Sequence, residues 1–368
     1  MKASNNIKLM AAVATASLML SACGGGGGGN STAPATGAST PAVPSGPASG
    51  VAPQTSVPTP TYAADSFQLA AFNLVNAYRN SMGVGMLKQD GALDVSAQAH
   101  TLYLTSNLKT GAVTSLDHTE SSANANFYGD TPLSRGQKAG APTSEWIGEN
   151  LAAGLNQTTI AAAASDCIGQ FLASVYHLIG MTANQESMGL GYTAGDSSYP
   201  VYTCATDFGT STGVLGSPGG ANTNSVPAAG GQVVPVGAVL HSPYSNELQV
   251  ALAMRPEAPN PASDLATPGR PILVRVNAQN SDSLTVTQFV LTDSSGATVP
   301  ARILLPASGQ AGSTSSAVVD PNNLMPNGVA VLLPLAPLKA STNYTVTFNG
   351  ARDGSAVSST WTFTTAAN

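Results

Sequence analysis

The sequence predicts an α+β segment followed by an all-β sandwich. Three observations carry that reading. Between Phe67 and His177, apolar residues recur at helical spacing in three stretches. Strand-like pieces follow at Met188–Thr193 and Val201–Phe208. Beyond a stretch rich in Gly, Pro and Ala at 212–232, the chain reads as short strands to its end.

The first helix rests on Phe67, Ala71, Leu74, Val75 and Tyr78, with Asp65 or Ser66 to cap its start and Gly83 to end it. A second helix is predicted over Ala92–Asn107. A third runs from about Thr159 to His177, with Ile160, Ala164, Ile168, Phe171 and Val175 on its buried stripe. In the strand that follows, Tyr202, Cys204 and Phe208 alternate onto one face. Helices and strands in one segment suggest an α+β layer architecture. Downstream, strands are predicted at Pro271–Val276, Leu284–Thr292, Ile303–Leu305, Val329–Leu335, Tyr344–Phe348 and Thr360–Thr364. Short strands at such intervals suggest a β-sandwich, and Tyr344 is placed for a tyrosine-corner hydrogen bond. No His, Cys or acidic cluster falls among these strands, so chemistry is expected upstream.

The start of the chain is a targeting signal. Lys2 and Lys8 precede a mostly apolar run, Leu9–Leu20, which is too short to span a membrane as a mature helix. Its ending, Leu20-Ser21-Ala22-Cys23, resembles a bacterial lipobox. That resemblance implies a signal peptide over 1–22 and a lipid-modified Cys23 as the first mature residue, anchoring the protein to a membrane outside the cytoplasm. Gly24 is not the aspartate that often retains lipoproteins at an inner membrane, so in a cell with two membranes an outer-membrane location, periplasmic or surface-facing, is expected. Residues 23–62 read as a flexible tether, 63–211 as the first domain, 212–232 as a linker and 233–368 as the second domain.

Only 9% of the residues are charged, against about 25% in an average chain, which suits a neutral polar extracytoplasmic surface. The net charge of −6 offers no basic footprint for nucleic acid. After Cys23, no apolar run is long enough for a transmembrane helix. Of three cysteines the lipobox uses Cys23; Cys167 and Cys204 are left as an even pair in an oxidising compartment, and a disulfide is predicted. It would stabilise by about 3–4 kcal/mol in the chain-entropy model.

Four histidines are candidates for chemistry. His100, inside the second helix beside Ala97 and Ala99, reads as a packed structural residue, and His241 has no partner in view. His118 lies in a loop, Asp117-His118-Thr119-Glu120, followed by an irregular stretch to Arg135 and then by Gly148-Glu149-Asn150. His177 closes the third helix and shares a polar stripe with Gln170 and Ser174. Two imidazoles and one carboxylate, His118, His177 and Glu149, can make an open metal site with a free position for water. They can equally make a hydrogen-bonded cluster that supports a cleft. Arg135 is expected to pair with Asp130 or Glu145, and Asn150 to bond neighbouring backbone. Gly209-Thr210-Ser211-Thr212-Gly213 fits the G-x-S-x-G pattern, but it runs into the linker instead of a strand-to-helix turn and is rejected as a nucleophile.

The order of these pieces is informative. Asn73, Arg79 and Gly83, then Leu87, then Leu93-x-x-x-Ala97-x-x-His100, are followed by His118, Arg135 and Gly148-Glu149-Asn150. Phe171-x-x-Ser174-x-x-His177, Gly189-x-Gly191 and Asp207-Phe208-Gly209 complete the series over about residues 65–210. This resembles the CAP superfamily of cysteine-rich secretory, antigen 5 and pathogenesis-related proteins, in its bacterial form. The resemblance implies a three-layer α-β-α sandwich with a cleft lined by two histidines and two glutamates, where some members bind a divalent metal, commonly zinc. His118, His177 and Glu149 match three of the four; the second glutamate falls at Ser174. The C-terminal pattern Leu338-x-x-x-Thr342-x-Tyr344-x-Val346 with Trp361-x-Phe363-x-Thr365 resembles bacterial Ig-like domains, which implies a spacer or adhesive module.

Three functions follow as expectations. The leading one is binding of a lipid, glycan or envelope protein through the CAP cleft or surface. The second is a metal-dependent hydrolase, with His118 and His177 holding the ion and Glu149 as general base. The third is a structural or adhesive surface protein.

Overall fold

Ser66 starts α1 (Phe67–Met82) by accepting the Leu69 N–H at 3.1 Å, and Gly83 ends it at φ 84° with its N–H on the Arg79 and Asn80 carbonyls. These local signals place the helix where the sequence does. The computed structural model describes residues 50–214, 230–278, 282–312 and 316–367. The expected signal peptide, Cys23, the tether up to residue 49 and linker residues 215–229 lie outside the described residues.

After β1 (Lys88–Gln89), Asp90 caps α2 (Gly91–Thr110). The stretch expected to be irregular contains α3 (Pro132–Ala139), which Thr131 and Ser134 cap reciprocally with Pro132 in the first turn. Glu149 and Asn150 lie on β2 (Trp146–Leu155). The third predicted helix is in fact two, α4 (Ile160–Leu172) and α5 (Tyr176–Met181). His177 therefore does not close a long helix, and no single stripe joins it to Gln170 and Ser174. Ala164, Ile168, Phe171 and Val175 are buried as expected, but Ile160 is exposed. Next come β3 (Ser187–Thr193) and β4 (Val201–Thr210).

These four strands form one sheet in the order β1-β3-β4-β2, with both β4 pairings antiparallel. Alternation along the strands assigns each face its helices. Leu151 and Ala205 pack with Ala97 and Leu104 of α2. Their neighbours Ala152 and Cys204 pack instead with Ala71 and Val75 of α1 and Ala164 and Phe171 of α4. Helices thus cover both faces. The approach of α2 is close: a Cβ on Gly189 would stand 2.0 Å from the Leu93 carbonyl carbon, and one on Gly191 2.2 Å from the Ala97 oxygen.

The remaining strands are β5 (Val239–Ser242), β6 (Glu247–Val250), β7 (Ile272–Val276), β8 (Leu284–Asp293), β9 (Ala301–Leu305), β10 (Gln310–Ala311), β11 (Ala317–Val319), β12 (Val329–Pro334), β13 (Asn343–Arg352) and β14 (Ser355–Thr365). They make two five-stranded sheets, β10-β8-β13-β14-β6 and β11-β9-β12-β7-β5. Val286, Phe289, Val346 and Phe363 of the first share a core with Ile272, Val274, Ile303 and Leu332 of the second. The Tyr344 hydroxyl accepts the Lys339 N–H at 2.8 Å.

The β11–β5 sheet is buried on its other face as well. Leu273, Leu304, Val331 and Leu333 point away from that core and pack with Tyr78 and Met82 of α1 and Leu178 and Ile179 of α5. Strands covered on both sides read as unbroken apolar runs, which is how Ile272-Leu273-Val274 and Val329-Ala330-Val331-Leu332-Leu333 stand in the sequence. The first segment therefore lies directly on the second.

Residues 51–62, expected to belong to the tether, touch the first segment at several points, with Val57 and Tyr62 against its core. Val51 bridges Gln232, Tyr62 meets Phe72 edge-on at 5.8 Å, and its hydroxyl donates to Asp94 at 2.6 Å. Gln232, at the end of the expected linker, is buried and donates to the Met86 and Gln185 carbonyls. Among the described residues, the protein is mixed α and β, with five helices and three sheets. No described helix is long and apolar enough to cross a membrane.

Candidate functional site

The site is built around one carboxylate. Glu149, buried on β2, receives His118 Nδ1 at 2.9 Å on Oε1 and Arg135 Nη2 at 2.8 Å on Oε2. The loop after α2 delivers His118, steadied by an Asp117 turn onto the Thr119 N–H at 2.8 Å. Helix α3 delivers Arg135, which also donates to the His118 carbonyl at 3.1 Å. Arg135 thus pairs with Glu149, and not with Asp130 or Glu145 as expected.

A second layer lies beneath. His100 is fully buried, with Nδ1 2.8 Å from Glu120 Oε1, Nε2 3.0 Å from the Asp117 carbonyl, and Nε2 3.8 Å from Glu149 Oε1. Both ring nitrogens thus face oxygen atoms of the loop that carries His118. The structural reading of His100 stands, and the residue is part of the network. Burial alone would raise the Glu149 carboxyl, but Arg135, His100 and His118 outweigh it and hold it below the usual carboxylate range. Asp207, opposite Glu149 in the β2–β4 register, shows the reverse: burial and the Glu149 charge push its carboxyl well above that range.

His177 is set apart by its partner. Its Nδ1 lies 3.0 Å from Glu257 Oε2, a carboxylate from the second segment, and its ring stacks on Phe171 at 5.4 Å. Asn150, next to Glu149, donates to the His177 carbonyl at 3.0 Å, so it bonds backbone, though 27 residues away. Ser174 donates to the Gln170 carbonyl at 2.8 Å. His118 and Glu149 are thus in contact, while His177 is held by Glu257. His118 and His177 keep 25% and 19% of their side chains exposed, so both rings reach solvent.

A catalytic zinc needs three convergent protein donors and an open position. Here both Glu149 oxygens are engaged, and among the described residues no three His, Cys, Asp or Glu side chains are grouped to hold an ion. His118 meets Glu149 through Nδ1, and His177 is held by Glu257 instead, so these three side chains are not gathered as one ligand set. Cys167 on α4 and Cys204 on β4 form the disulfide, with Cα atoms 6.5 Å apart. His241 has partners: it stacks on Trp361 at 3.9 Å, and its Nδ1 donates to the Pro243 carbonyl.

Sequence reasoning missed Glu120 and Glu257. Glu120 was within reach, beside His118 in an acidic loop. Glu257 stands in a Pro-rich stretch with no motif to mark it. No family model matches the chain, and comparison with curated proteins gives no match.

Proposed function

We propose that this chain is an exported lipoprotein of the CAP superfamily with an Ig-like C-terminal module, and that it binds an envelope ligand, a lipid, glycan or protein, through the face that presents His118 and His177. The anchor is Cys23, and its setting favours the outer membrane. Supporting the family reading, the motif residues His118 and Arg135 converge on the buried Glu149, and helices cover both faces of the sheet that carries Glu149.

The observation that carries binding over hydrolysis is the state of Glu149. A general base needs contact with its substrate and a proton affinity near the working pH, and the Glu149 side chain is fully buried. Glu149 has both oxygens engaged and a carboxyl held below its ordinary range. It suits the work of positioning His118, whose ring reaches solvent.

Calorimetric titration of the purified protein with phosphatidylethanolamine–phosphatidylglycerol vesicles and with soluble peptidoglycan fragments tests this reading. The expected result is binding of one probe, weakened at least about tenfold (~1.4 kcal/mol) in a folded His118→Ala, His177→Ala double variant. Undiminished binding in that variant, or turnover of a probe that depends on Glu149, would overturn it.

A further inference from the structure

His118 and His177 are held in the same way by different parts of the chain. In each, Nδ1 faces a buried carboxylate, Glu149 at 2.9 Å and Glu257 at 3.0 Å, and part of the ring is exposed. Neither Nε2 has a hydrogen bond among the described residues. Glu149 belongs to the same segment as His118. Glu257 lies 80 residues beyond His177, in the second segment.

Glu257 is tightly fixed. Its side chain is 1% exposed and accepts the Val175 N–H at 2.6 Å, the Tyr176 N–H at 3.0 and 3.1 Å and the His177 N–H at 3.3 Å, besides the ring. The chain around it is clamped from both sides. Arg255 donates its N–H to the Ala173 carbonyl at 2.9 Å. The Tyr176 hydroxyl donates to Asp320, and Asn322 donates to that hydroxyl at 2.8 Å and to the Asn260 carbonyl at 3.1 Å. Helix capping and docking need only the backbone contacts; the bond to Nδ1 is additional and sets the ring.

We propose that Glu257 is a positioning residue for His177, so that the binding face is a two-segment site whose second imidazole is oriented by the C-terminal module. A carboxylate on Nδ1 fixes a neutral ring with its proton there and leaves Nε2 as the ring's acceptor. The site then presents two imidazole Nε2 atoms in the same protonation pattern, and it selects ligand groups that donate hydrogen bonds. The inference rests on the binding reading above and deepens it.

Its test needs no ligand. Long-range nitrogen–proton correlation spectra of the four histidine rings, taken where the rings are neutral, report which nitrogen carries the proton. In the wild-type protein, His177 is expected to show a protonated Nδ1 and an unprotonated Nε2, like His118. In Glu257→Ala, the His177 pattern should change to a tautomer mixture or to Nε2–H, while His118 keeps its own. A wild-type His177 protonated on Nε2 would overturn the proposal even if Glu257→Ala does not fold. So would a folded Glu257→Ala that leaves the His177 tautomer intact. A ligand screen that fails leaves this result standing, and a wrong tautomer leaves the ligand screen standing.

Discussion

Tyr78 of α1 and Ser242 of β5, 164 residues apart in sequence, share a buried hydrogen bond at 2.5 Å, with Arg270 donating to both hydroxyls. A polar contact of this kind sits inside the core that joins the two segments. The protein is therefore expected to unfold in one cooperative transition, not as two independent domains. Leu304→Ala, on the face toward α1 and α5, should cost about 2–5 kcal/mol and lower the midpoint of the whole transition. Denaturant unfolding followed by near-UV and far-UV dichroism checks it. Two separated transitions in the wild-type protein would refute it.

Glu149→Gln is expected to destabilise by roughly 3 kcal/mol, because it removes the nearer of two carboxylates from the buried Arg135 guanidinium and leaves only Glu120, at 3.8 Å. Chemical denaturation at neutral pH measures the loss. A variant as stable as the wild type would mean that the pair contributes nothing net.

Two carboxylates four residues apart oppose each other in their pH dependence. Glu149 is held below the usual range, so its contribution is present above the unfolded value of about 4.3 and fades as the pH falls below it. Glu145 is pushed up to about 7 by burial and by the Asp90 charge, and its Oε2 has no hydrogen-bond partner. Its contribution is present below about 4.3 and is lost as the pH rises through about 7. Glu145→Gln should therefore gain on the wild type between pH 5 and pH 8 in unfolding free energy, measured across about that range. Parallel curves for the two proteins would contradict the raised Glu145 value.

Reduction of Cys167–Cys204, or its replacement by a serine pair, opens a loop closed across a sequence separation of 37 residues. The chain-entropy model puts the loss at about 4 kcal/mol. Unfolding curves with and without reductant give the number. Coincident curves would show that the bond is dispensable.

The anchor proposal predicts that Cys23→Ala releases the protein from membranes. Fractionation of cells producing the variant should move the protein from the membrane pellet to the soluble fraction, and mass spectrometry should find acyl chains on the wild type alone. A pelleted Cys23→Ala variant would point to another means of attachment.

What could be read from the sequence was what local chemistry determines. Ser66 and Gly83 bracket α1 through caps made within one turn. The Cys167–Cys204 pair followed from counting. The runs at 272–276 and 329–334 announced strands, though not that both faces were covered. The break between α4 and α5 was invisible, because Ala173, Ser174 and Val175 continue a helical pattern. What starts α5 afresh is Glu257, which takes the N–H groups of residues 175–177 from far along the chain. Helix α3 carried a readable signal in Thr131-Pro132 and Ser134 but had too little apolar surface to draw notice. β2 was obscured by Gly148 and Asn150 in a run whose extended form comes from pairing with β4.

The doubly covered sheet also bears on how the C-terminal half could be borrowed. Residues 233–367, lifted out as a portable tag, would bring Leu273, Leu304, Val331 and Leu333 to the surface together. Such a fragment would carry a greasy stripe into solvent and clump with its own copies. Its usefulness as a fusion partner would depend on redesigning those four positions as polar residues.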